Sequence, residues 1–423
     1  MESGWWLTTF SRDKDFMPMR IIFMLCSCFL LLGFVSPKSS AHEVDQYSPP
    51  AGQSLRDLGT YWNQLIYRVL LAGIQQANHG IETTKNSWIP DPGGSRIANS
   101  QSPNTLAKSV RSQLPSAMDL IENMEHRIAE TDGRDLASRQ LLAYRPKATQ
   151  SVYLPATQIR GMRYWNRLVF MRSSTIKVHG HYIGTDKIGH FFAMGYYYYN
   201  AYQAAQLLGH THEESLQKAS DICGWITENS FLGLTSTAIY SNADLAANYL
   251  GLKFYLNLCQ PIKIAGHLEP ALVIRAGDYW KIRDGLNQNS PLFSKYVSAH
   301  WDEVLNPCHL EVSFRNHARK EIYARRALLL DWYAGNDPRR RTKVYFDNIM
   351  AHTRTYYGEN YGHSGAEAHQ LGIGTICFES VAESPAIVVR GNQRQMTFRK
   401  PTAGRKVLQT KNTSLRVGGD TTR

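Results

Sequence analysis

Apolar residues recur at helical spacing in several stretches of this chain, and Pro, Gly and capping residues punctuate the gaps. Leu55, Leu58, Trp62, Leu65, Ile66, Val69 and Leu70 place one apolar face on a helix within residues 54–78. "SAMD" sets Ser116 three residues before Asp119, a capping-box spacing that opens a helix through "LIENMEHRIAE". Thr185 precedes "DKIGHFFAMGYYYYNAYQAAQLLG", predicted as one helix with Thr185 as its cap and Asp186 in its first turn. "THEE" at 211–214 and "SNAD" at 241–244 are two further boxes, opening "ESLQKASDICGWITENSF" and "LAANYLGLKFYLNL". Three helix starts so close together imply short loops and antiparallel neighbours. "IKVHGHYIG" alternates around Gly180 and predicts a short hairpin near residues 175–183. "RNHARKEIYARRALLLDWYAG" predicts a charged surface helix near 315–334, whereas "SWIPDPGGSRIANSQSPN" and "RTYYGENYGHSGAEAHQLGIG" have the composition of loops. The fold class expected is mainly α: a helical, bundle-like domain with irregular loops.

The N-terminus changes the picture. Arg20 precedes the apolar "IIFMLCSCFLLLGFV", and the small residues Ser39 and Ala41 follow at the two positions a signal peptidase reads. This is the pattern of a secretory signal cleaved after Ala41, and the run is shorter than the ~20 residues of a spanning helix. "MESGWWLTTFSRDKDF" is acidic as well as basic, unusual for a signal's start, which leaves initiation open among Met1, Met17 and Met19. The expected division is a signal peptide at 1–41, an N-terminal helical region at 42–174, a central three-helix unit at 175–260, a C-terminal helical and loop region at 261–384, and a tail at 385–423. The expected location is periplasmic or secreted.

Formal net charge is +12, but residues 385–423 hold nine bases against one acid, so the body is nearly neutral. That tail lacks apolar periodicity and is expected to be disordered, touching anionic lipid at a membrane surface or nothing; no nucleic-acid partner is expected. Cys223, Cys259, Cys308 and Cys377 remain after the signal, with no CxxC pair among them. In an oxidising compartment the expected bridge is Cys259–Cys308, because both flank prolines at element ends. Cys223 falls in an apolar helical pattern and suits a core thiol equally well.

Candidate chemistry concentrates in the central unit. Asp186 and His190 share a helix face; Asp221, Gly224, Trp225 and Glu228 share one on the next helix, and Asp244, Asn248, Gly251 and Tyr255 on the third. If these faces meet, Asp186, His190, Glu228, Asp244 and Asn248 enclose one polar pocket, with Lys187 adding positive charge. "DKIGHF", then a glutamate, then "DLAANYLG" resembles the signature of the VanZ-like family and of YfiM-type periplasmic lipoproteins. The matching positions are Asp186, Lys187, His190, Phe191, Glu228, Asp244, Asn248 and Gly251, within residues 184–256 only. The resemblance implies a shared site and fold element but no particular reaction or cofactor. It departs from the membrane-embedded VanZ-like proteins in placing Asn200, Gln203 and Gln206 on the first helix.

Several chemistries remain open at this stage. A metal site could use His190 with Asp186, Glu228 and Asp244, joined by His179 or His181. An acid–base hydrolase could use His190 oriented by Asp186, with Glu228 as its partner and Lys187 holding an anionic group such as a phosphate. No GxSxG, SxxK or glycine-rich phosphate loop names a nucleophile. A binding or scaffold protein could instead contact lipid or glycan through Tyr196–Tyr199 and Trp225. Simple capping accounts for Asp186 and Asp244, but not for His190 and Glu228.

Overall fold

In the computed structural model, which describes residues 42–116, 119, 121, 123–126, 140–147, 150–153, 171–229, 233–234, 237–335, 337–365 and 369–379, strand β1 (His42–Val44) precedes helix α1 (Gly59–Lys85). The expected signal peptide, the basic tail and the Trp225 side chain lie outside the described part. Helix α1 starts later than the apolar pattern predicts because Leu55 and Asp57 are committed to β-bridges with Leu141 and Lys177. Asp57 then accepts a hydrogen bond from the Gly59 amide at 2.8 Å. Trp62, Ile66, Leu70, Ile74, Ala77 and Ile81 form the buried stripe of α1.

The Pro- and Gly-rich stretch after α1, expected as loop, contains α2 (Ser95–Ser100) and leads into α3 (Pro103–Arg111). Ser102 caps α3 by accepting from the Thr105 amide at 3.2 Å, and Pro103 occupies the first helical position, where no amide is needed. The expected Ser116 cap is present, its Oγ accepting from the Asp119 amide at 3.1 Å.

Strands β2 (Ala143–Tyr144), β4 (Thr175–Val178) and β5 (His181–Gly184) form an antiparallel sheet in the order β2-β4-β5, and β3 (Met171–Ser173) pairs in parallel with β1. The predicted hairpin is thus present. Its turn residues His179 and Gly180 have φ of 49° and 85°, and the Asp57 carboxylate holds both amides at 2.9 and 2.6 Å.

From β5 the chain passes directly into α4 (Thr185–Gly189), a π-helical turn at His190–Met194, and α5 (Gly195–Leu207). This is the single helix predicted, with a widened turn inside it. Thr185 is not the cap: Gly184 occupies that position, and the Thr185 hydroxyl donates to Glu125 at 2.6 Å. Helix α6 (His212–Glu228) opens with the predicted reciprocal box, in which the Thr211 amide donates to the Glu214 carboxylate at 2.9 Å and the Glu214 amide to the Thr211 hydroxyl at 3.3 Å. Strand β6 (Ile239–Tyr240) leads to α7 (Asn242–Asn257), buried at every position, its polar residues Asp244, Asn248 and Lys253 included. Helix α5 packs against both α6 and α7, and the π turn packs on α7. A Cβ on Gly251 would overlap the Phe191 carbonyl oxygen, and one on Gly195 would overlap Gly251, so two glycines set this crossing.

The region after Pro261, irregular by pattern, folds as two hairpins: β7 (Ile262–Ile264) with β8 (His267–Glu269), and β9 (Val273–Ala276) with β10 (Tyr279–Ile282). Strands of three or four residues are too short for alternation to stand out. Beyond them β11 (His309–Leu310) pairs with β6. The predicted surface helix is broken at Arg325 (φ −101°, ψ 8°) into α8 (Val312–Ala324) and α9 (Arg326–Ala334), followed by α10 (Lys343–Thr353) and α11 (Ile373–Ile376). The fold is therefore mainly α with short strand pairs.

The expected Cys259–Cys308 bridge is not formed; all four described cysteines are thiols. Cys259 packs against the core built on α1, α5 and α7, whereas Cys308 belongs to a second cluster with Tyr47, Ile322, Leu329 and Phe346. Among the described residues no helix is long and apolar enough to cross a membrane.

Candidate functional site

The β5–α4 junction aims two charged side chains inward. Gly184 is required there, since a Cβ would overlap Asp186 Oδ1 and lie 2.8 Å from Val44. Lys187 follows on α4 with no solvent exposure, and its Nζ lies 2.8 Å from Asp186 Oδ2, 2.5 Å from Asp244 Oδ1 and 2.6 Å from Glu303 Oε1. The Asp244 contact is an ion pair not aligned as a hydrogen bond. Glu43, on β1, is buried beside the same group.

Asp244 links this ion cluster to His190. Its amide donates to Ser241 Oγ at 3.0 Å, which is the predicted cap, but its carboxylate does not return to the cap. Instead Oδ2 lies 3.3 Å from His190 Nε2. His190 Nδ1 lies 2.9 Å from Asn248 Oδ1, one turn along α7. With the amide oxygen facing the ring, Nδ1 carries the proton and donates it, which leaves Nε2 towards Asp244. Glu228 ends α6 fully buried; its Oε2 accepts from the Ser241 amide at 3.2 Å, while Oε1 has no hydrogen-bond partner.

Burial and like charge act together here. Burial, then the negative charge of Asp244, holds the carboxyls of Glu43 and Glu228 well above the ordinary carboxylate range. Burial raises Asp186 too, against the opposing pull of Lys187, and pushes Glu303 up to about 7. Burial alone would lower Lys187, but Asp186, Asp244, Glu303 and Glu43 outweigh it and hold the ammonium well above its ordinary range.

All six sequence candidates (Asp186, Lys187, His190, Glu228, Asp244 and Asn248) converge on this one site. Two carboxylates that belong to it, Glu43 and Glu303, were missed. Glu303 carries a faint signal, an acidic pair between Trp301 and Val304 in an apolar context. Its backbone is pinned from the β1 side, the Glu303 amide donating to Gln46 at 2.8 Å and the Tyr47 hydroxyl to the Glu303 carbonyl at 2.9 Å.

Other expectations are corrected. Lys187 cannot hold a substrate phosphate, being sealed from solvent and surrounded by carboxylates. His179 and His181 do not join the site: they lie on the β4–β5 hairpin, the His179 ring against Phe293 at 6.4 Å and over Gly59. Asp221 is exposed and accepts from Gln217 at 2.5 Å. Of the tyrosine run, Tyr198 and Tyr199 are core and only Tyr197 is exposed. Compared with protein families, with curated proteins and with solved structures, the chain matches none significantly.

Proposed function

We propose that the chain is an exported cell-envelope protein whose central helices form a bundle-like unit around a hydrolase-like centre, acting on a phosphate- or glycan-containing envelope substrate. One observation carries this reading. His190, with its side chain 13% exposed, gives solvent access to a charge cluster whose other acids and lysine are sealed. A buried charge cluster of this kind is costly to fold, and such cost is commonly retained at functional sites. His190 Nδ1 is committed to Asn248, and Nε2 faces the Asp244 carboxylate at 3.3 Å, so the ring works together with a neighbouring acid rather than alone. Water activation by the centre as a whole fits better.

The test has two arms. Mature protein recovered from cell fractions should begin at or near His42, outside the cytosol. A panel of chromogenic phosphomonoesters, phosphodiesters and glycosides should then reveal one turnover that His190→Ala reduces by about 100-fold or more. Activity shared equally by the wild type and a folded His190→Ala variant removes the hydrolase reading.

A second reading, a non-enzymatic binding protein, has its own support. Stacked Tyr182 and Trp332 (4.6 Å between centroids) line an open cleft of about 670 Å³ together with Lys177, Arg339 and Arg340. Aromatic faces beside bases suit an anionic glycan or lipid headgroup. Trp332→Ala should weaken binding of a phosphorylated oligosaccharide at least about tenfold if this reading holds.

A further inference from the structure

We infer that His190, Glu228 and Asp244 bind one divalent transition-metal ion of the zinc class, with water filling the remaining coordination position. The inference rests on the same centre as the hydrolase reading but not on hydrolysis itself. Three ligand atoms, one from each residue, lie within 4.8 Å of one another. His190 Nε2 and Asp244 Oδ2 are 3.3 Å apart. An ion about 2.1 Å from each of them subtends roughly 104° between them, close to the tetrahedral angle that zinc adopts.

Glu228 supplies the independent observation. Its carboxyl is fully buried, Oε1 accepts no hydrogen bond, and Oε2 is anchored on the Ser241 amide. An orphaned buried acceptor is expensive, and moving Oε1 onto an ion breaks no bond. The surrounding shell is also that of a metal site. Asn248 takes the Nδ1 proton, which turns the Nε2 lone pair inward, and Lys187 binds the other oxygen of Asp244.

Charge balance points the same way. Five buried carboxylates (Glu43, Asp186, Glu228, Asp244 and Glu303) face one ammonium. A second acidic triplet, Glu43, Asp186 and Asp244, also clusters within 4.8 Å, but Lys187 Nζ already lies against two of its members. The ammonium is the cation of that half of the cluster; the His190 half has none of its own. A nitrogen ligand with two carboxylates favours zinc over the all-oxygen shells of calcium and magnesium. Three protein ligands leave a position for water on the partly exposed side of His190.

The experiment uses untagged protein stripped with EDTA and then titrated with Zn²⁺ or Mg²⁺ by calorimetry, with metal per chain counted after gel filtration. One Zn²⁺ per chain is expected and no comparable Mg²⁺ binding. Glu228→Gln keeps the Ser241 contact and the shape of the side chain, and should weaken zinc at least about tenfold, as should His190→Gln. Asp221→Asn, at an exposed position outside the site, should leave zinc affinity within about threefold of wild type. Circular dichroism of the stripped Glu228→Gln protein should match the wild type, since glutamine keeps the size of the side chain and an acceptor for the Ser241 amide. No zinc bound, or zinc bound equally by wild type, Glu228→Gln and His190→Gln, overturns the inference. Zinc bound without turnover on the substrate panel keeps the inference and removes the hydrolase reading. EDTA-resistant turnover that His190→Ala abolishes does the reverse.

Discussion

Lys187 shows what one residue does here. A lysine with no exposure is tolerated because Asp186, Asp244 and Glu303 each reach its ammonium within 2.8 Å. Lys187→Met keeps the volume and removes the charge, leaving three carboxylates facing one another. Urea denaturation near neutral pH should show a loss of roughly 3–5 kcal/mol, or no folded protein at all; a loss under about 1 kcal/mol means that the carboxylates are neutralised some other way. The thiols offer a second check at this scale. Cys308 Sγ lies 3.4 Å from the Tyr47 hydroxyl within its own cluster, so non-reducing peptide mapping should recover Cys259 and Cys308 on separate peptides. A linked pair contradicts the packing described.

At the scale of elements, the site depends on how closely α7 approaches the helix that starts at Thr185. Gly251 meets the backbone at Phe191 and Gly195, and backbone cannot rotate out of the way. Gly251→Ala should therefore force the helices apart, cost about 1–3 kcal/mol or more, and draw Asn248 and Asp244 away from His190. Gly224→Ala is the control, because its Cβ would meet only the ends of the Leu245 and Tyr198 side chains, at 3.0 and 3.2 Å. Comparable denaturation midpoints for the two variants would falsify the close-crossing account. The π turn at His190–Met194 is also an element-level decision: the sequence predicts a continuous helix, and the widened turn is recognisable only once the backbone is placed. Such turns often coincide with functional residues, and this one begins at His190.

At the scale of the whole molecule, buried histidines couple folding to pH. His300 is buried, and burial lowers its pKa to about 4, with the neighbouring His352 and His181 adding to the effect and a bond to the Thr355 carbonyl opposing it. The native state thus keeps this ring neutral where the unfolded chain binds a proton. Its contribution is fully present above the unfolded value of 6.5 and is lost as pH falls towards 4. Between pH 7.5 and pH 5 this one group should remove about 2 kcal/mol of stability. Glu303, raised to about 7, acts in the opposite sense: its stabilising proton is lost as pH rises from 4.5 through 7. The informative quantity is therefore the difference between wild type and His300→Gln, measured by urea denaturation at both pH values. The variant should lose less stability at pH 5; parallel curves mean that His300 does not titrate as described.

The sequence by itself determined the helix starts at Thr211 and Ser241, the hairpin before Gly184, and the placement of Asp186, Lys187, His190, Asp244 and Asn248 on adjoining helix faces. These follow from local rules: a cap bonds an amide three residues away, a hairpin needs a turn with positive φ, and residues four apart share a face. Tertiary structure decided the rest. Glu303 sits 116 residues beyond Lys187 in a stretch with no periodicity, and Glu43 lies in a three-residue strand whose partner begins at Met171. Nothing local marks either as inward-facing, because what turns them in is pairing and packing with distant segments. For the same reason the sequence left Lys187 open between a pocket charge and a holder of substrate anions, and Asp244 open between a pocket acid and a cap. Only the packed core showed that the two bind each other, because a charge excluded from water must take whichever partners the fold brings within reach.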